Sequence, residues 1–224
     1  MKYQTVIFDF DSTLIRFESL EVILAKVIEA DKAKQQKFVK LTEMAMNGDL
    51  SFQQALQKRL EIALPSKQGI ADFVDAYCPK ALTSGIKALV DILQMSKVKV
   101  FIISGGLKEA ILPFARYLNI PDSCVHAVEI NWTKDDRFQS LNEQNGFAVS
   151  KLAGTRKVQS LFVGKTVIVG DGYTDFEVYK EGFADDFIAY TEHIKRDKVV
   201  ELALLKATSV NDLKLLFDLL ESNE

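Results

Sequence analysis

Cysteine is almost absent. The 224 residues contain only Cys78 and Cys124, far apart and at no metal-ligand spacing, so both read as small core hydrophobes rather than as a disulfide or a metal site. An excess of one charge is missing too. With 28 basic against 31 acidic residues and a formal net charge of −3, nothing suggests a nucleic-acid surface or an anionic membrane as partner. No window approaches the roughly 18 apolar residues that span a bilayer. The first residues carry no basic segment followed by an apolar run and no small-residue cleavage site, so a cytoplasmic protein is expected. There is no internal repeat and no low-complexity segment, and residues 221–224 read as a polar tail. Oligomeric state is not legible.

What is present is the composition of a globular chain: 48% hydrophobic and 26% charged residues with 11 glycines, long enough to bury a core without staples. Short apolar runs at 5–10, 98–103, 166–169 and 187–189 look like buried parallel strands, and helical patterns at 85–94 and 152–161 separate them. Strands alternating with helices predict an α/β protein with a doubly wound parallel sheet. The interval from about 15 to 82 breaks the alternation, because it holds only helical periodicity, at 20–30, 36–46, 52–63 and 69–77. Asn47-Gly48-Asp49 and Pro65-Ser66 punctuate it, and Ser51 is placed to cap the helix that starts at Phe52. This block reads as a helical cap inserted over the carboxyl ends of the strands, where open α/β sheets bind ligands. Between 127 and 150, Val128, Ile130 and Trp132 alternate before a polar turn and Phe138, which predicts an appended β-hairpin with Trp132 as packing.

The chemistry is concentrated at strand ends. Asp9 and Asp11 follow the first run, and residues i and i+2 of a strand share a face. Two carboxylates that close repel unless a cation relieves them. Asp171 stands just past the apolar run 167–169, with Asp175 four residues on, and parallel neighbours would bring Asp171 to Asp9 and Asp11. Oxygen donors of this kind suit Mg²⁺, which takes one or two protein carboxylates, keeps several waters and binds a substrate phosphate. The second run ends in Ser104-Gly105-Gly106, a hydroxyl with open backbone N–H groups for an anion. Each of these motifs alone is commonly only a loop. Their joint position along one edge of one sheet carries the signal.

DFDST at 9–13, SGG at 104–106 and GDGYTD at 170–175 resemble the signature motifs of the haloacid dehalogenase superfamily of phosphatases, and are most similar to phosphoserine phosphatases and their relatives. The resemblance implies a Rossmann-like core at 1–15 and 83–224 with a helical cap at 16–82. It implies a Mg²⁺-dependent phosphomonoester hydrolase with an aspartyl-phosphate intermediate on Asp9, and Asp11 as acid and base. Mg²⁺ would be held by the Asp9 and Asp171 side chains and the Asp11 main-chain carbonyl. Thr13 would steady Asp11, and Asp175 would orient waters or Lys151. Ser104 and the Gly105 N–H would bind the phosphoryl oxygens together with a lysine, for which Lys151 is the first choice and Lys157 the competitor.

In the cap, the resemblance assigns Glu18 to a substrate ammonium, Arg59 to a carboxylate, and Met46 and Phe52 to excluding water. Thr174 stands where such proteins carry asparagine or threonine. The expected partner is a small phosphorylated metabolite, an amino-acid phosphomonoester such as L-phosphoserine. The alternative is a phosphatase or phosphotransferase of the same superfamily acting on another small phosphomonoester. Arg16-Phe17 departs from the polar pair common before Glu18. A phosphorylated signalling receiver is disfavoured by chain length, by the cap and by Asp11, and a non-catalytic binding module by the full set of reactive groups. His126 and His193 fall in no motif and read as structural.

Overall fold

The computed structural model describes residues 2–46 and 50–219. The first strand, β1 (Thr5–Phe8), has Val6, Ile7 and Phe8 fully buried, as expected of a β-branched and aromatic run covered on both faces. It pairs in parallel with β2 (Lys99–Leu107) on one side and β6 (Thr166–Gly170) on the other. With β3 (Val125–Val128), β7 (Asp186–Tyr190) and β8 (Leu205–Ala207), the sheet runs β3-β2-β1-β6-β7-β8, every pair parallel. The chain winds outward from β1 to one edge and then from β6 to the other. The switch therefore falls between β1 and β6, where doubly wound sheets open a crevice at the carboxyl ends of their strands. Register brings Phe8 beside Val169, so Asp9 and Asp171 leave the sheet on adjacent strands.

Among the described residues four helices connect β1 to β2 before the last crossover helix: α1 (Ser19–Val27), α2 (Lys32–Met46), α3 (Phe52–Ile62) and α4 (Lys67–Tyr77). Ser51 caps α3 by a reciprocal pair with Gln54, and Ser66 caps α4 by accepting from the Gly69 N–H. The two connectors to the sheet lie antiparallel: Ile15 bridges Leu82, the Arg16 N–H reaches the Ala81 carbonyl and the Thr83 N–H the Leu14 carbonyl. The crossover helix α5 (Ile86–Met95) buries Ile86, Leu89, Val90 and Leu93, an i, i+3, i+4, i+7 stripe. The remaining helices are α6 (Lys108–Tyr117), α7 (Lys151–Val158), α8 (Tyr173–Lys180), α9 (Asp197–Leu202) and α10 (Val210–Leu216).

Ser104-Gly105-Gly106 fall in the last part of β2, at the end of the second strand where the sequence places them, and β2 continues to a bulged pairing of Leu107 with Val128. One sequence expectation changes. Val128 belongs to β3 of the main sheet, and the hairpin is the separate pair β4 (Ile130–Trp132) and β5 (Phe138–Leu141). Cys78 and Cys124 are free and half-buried at the margin of the core. Trp132 donates its indole N–H to Glu109 and lies 5.8 Å under Lys67 Nζ, whose ammonium also pairs with Asp136 in the hairpin turn at 2.6 Å. That contact ties α4 to the hairpin. Among the described residues no helix is long and apolar enough to cross a membrane.

Candidate active site

Past β1 the chain makes a tight turn over Phe10–Leu14, closed by the Ile15 N–H on the Phe10 carbonyl at 3.0 Å. Inside it Asp11 is extended and Ser12 left-handed, with φ 51°, an uncommon conformation for a residue with a Cβ. The Ser12 hydroxyl then donates to Glu18 Oε1 at 2.8 Å. Asp9 and Asp11 are both nearly buried, but they face different partners. Asp9 Oδ1 accepts from the Phe10 N–H at 2.7 Å and lies 2.9 Å from Lys151 Nζ, leaving Oδ2 without either. Asp11 Oδ1 accepts from the Ser19 N–H at the start of α1, at 2.7 Å. Its Oδ2 lies 2.9 Å from where a Cβ on Gly106 would stand.

Lys151 opens α7 because Ser150 caps that helix, accepting from the Ala153 N–H at 3.0 Å. Its buried ammonium bridges Asp9 and Asp175, with the Asp175 contact at 2.6 Å. Burial alone would lower the pKa of this amine, but the charges of Asp175 and Asp9 win and raise it, so it stays a cation. Lys157 instead donates to the Gln144 carbonyl at the surface. Asp175 sits on the first turn of α8, where its Oδ2 also accepts from the Gly172 N–H. Gly170 permits this: a Cβ there would fall 2.3 Å from Asp175 Cγ.

Asp9, Asp171 and Asp175 each offer an oxygen within 4.8 Å of the others. Burial first, and then neighbouring carboxylates, raise the pKa of Asp11 and Asp171, and push Asp175 up to about 8 and Glu18 to about 7. A buried, oxygen-only cluster short of positive charge fits a hard divalent cation.

Ser104 is buried, its Oγ accepting from the Gly106 N–H at 3.0 Å, and a Cβ on Gly106 would lie 3.3 Å from that Oγ and 2.9 Å from Asp11 Oδ2. Gly105 is covered by Phe52, the first residue of α3: a Cβ on Gly105 would lie 2.7 Å from Phe52 Cε2. Arg59 follows seven residues later on the same face of α3. Its guanidinium approaches Glu21 Oε1 at 3.5 Å and the Phe38 ring at 5.9 Å. Met46 ends α2, and its side chain lies outside the described residues. Thr174 is half-buried on the first turn of α8.

One expected contact differs. Thr13 does not reach Asp11; its hydroxyl points to Asp171 Oδ1 at 3.5 Å, because the left-handed Ser12 turns Asp11 and Thr13 to opposite sides. Sequence reasoning also missed Arg196, whose Nε donates to Asp171 Oδ2 at 2.9 Å and whose terminal nitrogen lies 3.6 Å from Glu18 Oε1. No local pattern in Lys195-Arg196-Asp197 could have announced it. The two histidines take structural places. His126 stacks near Phe101 and Phe147, where burial lowers its pKa to about 4, and His193 meets Thr83 Oγ1 at 2.7 Å beside the cap connectors.

A parallel sheet whose switch-point crevice gathers two carboxylates on one turn, a lysine, a hydroxyl and a cation-deficient acidic cluster defines an enzyme of phosphoryl transfer. The chain belongs to the haloacid dehalogenase-like hydrolases: the model of that family matches residues 3–181. Human phosphoserine phosphatase is 34% identical over 203 residues, covering 88% of this chain and 86% of its own. A phosphoserine phosphohydrolase-like protein from Francisella tularensis is 47% identical in a solved structure, with TM-score 0.89 over 95% of this chain and 99% of that one. A substrate-bound phosphoserine phosphatase structure shares the fold at TM-score 0.76 and 22% identity, covering 99% of this chain and 100% of that one. The protein is a phosphoric monoester hydrolase of the phosphoserine phosphatase-like kind.

Proposed function

We propose that the protein releases phosphate from L-phosphoserine through an aspartyl-phosphate on Asp9, with residues 16–82 acting as a cap over the reaction. The observation that carries the reading is the division of labour between the two carboxylates. With Asp9 Oδ1 held by the Phe10 N–H and Lys151, Oδ2 is the oxygen that attacks phosphorus. The Oδ2–P bond forms as the ester P–O bond breaks, and the leaving alkoxide takes a proton from Asp11. Asp11 suits that task because burial raises its pKa and keeps the proton on it until transfer. Its Oδ1 is fixed by the Ser19 N–H, so Oδ2 is the working oxygen. In the second half Asp11, now a carboxylate, takes a proton from the water that attacks phosphorus, and Asp9 is regenerated.

Ser104 Oγ, the Gly105 N–H and Lys151 hold the phosphoryl oxygens and balance their charge. Mg²⁺ would be held by the carboxylates of Asp9 and Asp171 and the main-chain carbonyl of Asp11, with Asp175 fixing Lys151. When bound, it supplies the positive charge that lets an anionic nucleophile approach an anionic phosphate. Glu18 faces the site from the start of α1 and suits an ammonium, while Arg59, two turns from Phe52 on α3, suits a carboxylate by a two-pronged contact. Phe52 closes over Gly105 and keeps water from the reacting centre.

The test is phosphate release from L-phosphoserine against a panel of small phosphomonoesters, with Mg²⁺ and with EDTA, using Asp9→Asn as the blank. Release that favours L-phosphoserine, requires Mg²⁺ and disappears in the variant is the expected result. Preference for another ester would remove the Glu18 and Arg59 assignment and leave the aspartate chemistry. Full activity in Asp9→Asn would overturn the mechanism.

A further inference from the structure

Arg196 is the N-cap of α9, in the segment that follows β7. Nothing in the proposed reaction uses it, yet it reaches the most acidic part of the site. Its Nε occupies Asp171 Oδ2 at 2.9 Å, while the other oxygen of Asp171 faces the Thr13 hydroxyl. Its terminal nitrogen lies 3.6 Å from Glu18 Oε1. Asp171 has a side chain only 4% exposed against 24% for Arg196, so a buried carboxylate is paired with a cation that retains a path to solvent. The other positive group, Lys151, serves Asp9 and Asp175. Among the described residues two cations thus reach the acidic pocket, fewer than its carboxylates: Lys151 deep and fixed, Arg196 nearer the mouth.

We propose that Arg196 is a competing counter-cation. It holds Asp171 and Glu18 together in the metal-free protein, a divalent cation must displace it from Asp171 Oδ2 to bind, and the displacement frees Glu18 for a cationic group of the substrate. This rests on the reading of Asp9 and Asp171 as metal ligands. The physical reason is that one carboxylate oxygen cannot serve a guanidinium and a metal ion equally well at once. A charge-assisted hydrogen bond to a buried carboxylate has to be given up before the ion gains it. Arg196 is a positioning residue in this scheme, and its effect appears in metal affinity before any turnover.

The experiment is calorimetric titration of Mg²⁺ into the phosphate-free protein for the wild type, Arg196→Met, Arg196→Lys and Asp171→Asn, with thermal melts to verify folding. Arg196→Met should bind Mg²⁺ about tenfold more tightly than the wild type, the scale of one charge-assisted hydrogen bond given up. Arg196→Lys should fall between the two, because it restores a cation without the planar fork. A merely structural role for Arg196 would weaken Mg²⁺ binding or leave it unchanged in Arg196→Met, and either result overturns the proposal. Should Arg196→Met not fold, the comparison of Arg196→Lys with wild type decides: equal or weaker affinity in the lysine variant rejects competition. Asp171→Asn separates the two layers. If it binds Mg²⁺ as the wild type does, the metal assignment itself fails. If it loses Mg²⁺ while Arg196→Met matches the wild type, only the competition fails.

Discussion

The placement of α3 over the phosphate site can be tested by a two-residue cycle at Gly105 and Phe52. A methyl group on Gly105 would stand 2.7 Å from Phe52 Cε2 and 3.0 Å from Cζ, about 0.7 Å short of ordinary carbon contact. Gly105 lies within β2, so alanine meets steric resistance from the ring and not from its own backbone. Relief requires the Phe52 ring, and with it the N-terminus of α3, to move off the site. Overpacking of this size costs ~1–3 kcal/mol, which corresponds to roughly 5- to 150-fold in kcat/KM. Phe52→Ala removes the obstacle but also uncovers the reacting centre, and lowers kcat/KM on its own. Steady-state kinetics of Gly105→Ala, Phe52→Ala and the double variant give the coupling. The expected result is strong non-additivity, with the double variant no worse than Phe52→Ala within about threefold. Additive losses would show that α3 does not stand over Gly105 when the enzyme works, and would refute the closed arrangement.

Two further expectations concern the acidic cluster. In the metal-free protein the folded state keeps protons on Glu18 to about pH 7 and on Asp175 to about pH 8, whereas the unfolded chain loses them near ~4. Between those values the folded form binds more protons, so stability should fall as pH rises from about 4.5 to 8. Melting temperature measured in EDTA across that range should decline, and saturating Mg²⁺ should flatten the slope; a metal-free protein that gains stability with pH would contradict the charge account. The second concerns Gly170→Ala, which would drive a Cβ to 2.3 Å from Asp175 Cγ and break the Lys151–Asp175 pair. A cost of ~1–3 kcal/mol predicts a melting temperature lower by roughly 2–12 °C, and an unchanged melt would mean that Asp175 is not packed on the strand end.

The local pattern of this chain was sufficient for the parts that depend on period and capping. The fully apolar run before Asp9 had to be a buried strand, Ser51 could only cap a helix starting at Phe52, and helical spacing between 15 and 82 left no room for a strand. The carboxylates after two such strands followed from the same logic, since a parallel sheet puts successive strand ends on one edge. Weak signals failed: β3 and β8 are short strands at the sheet's two edges. Whether Thr13 meets Asp11 or Asp171 depended on one left-handed residue, Ser12. That Lys151 rather than Lys157 faces Asp9 was decided by α7, which points one lysine inward and the other to the surface. Arg196 shows the limit most plainly. Its two carboxylate partners are 25 and 178 residues away in sequence, and only the winding of the sheet brings them within reach, because long-range pairing is set by where strands end and not by what surrounds a residue in the chain.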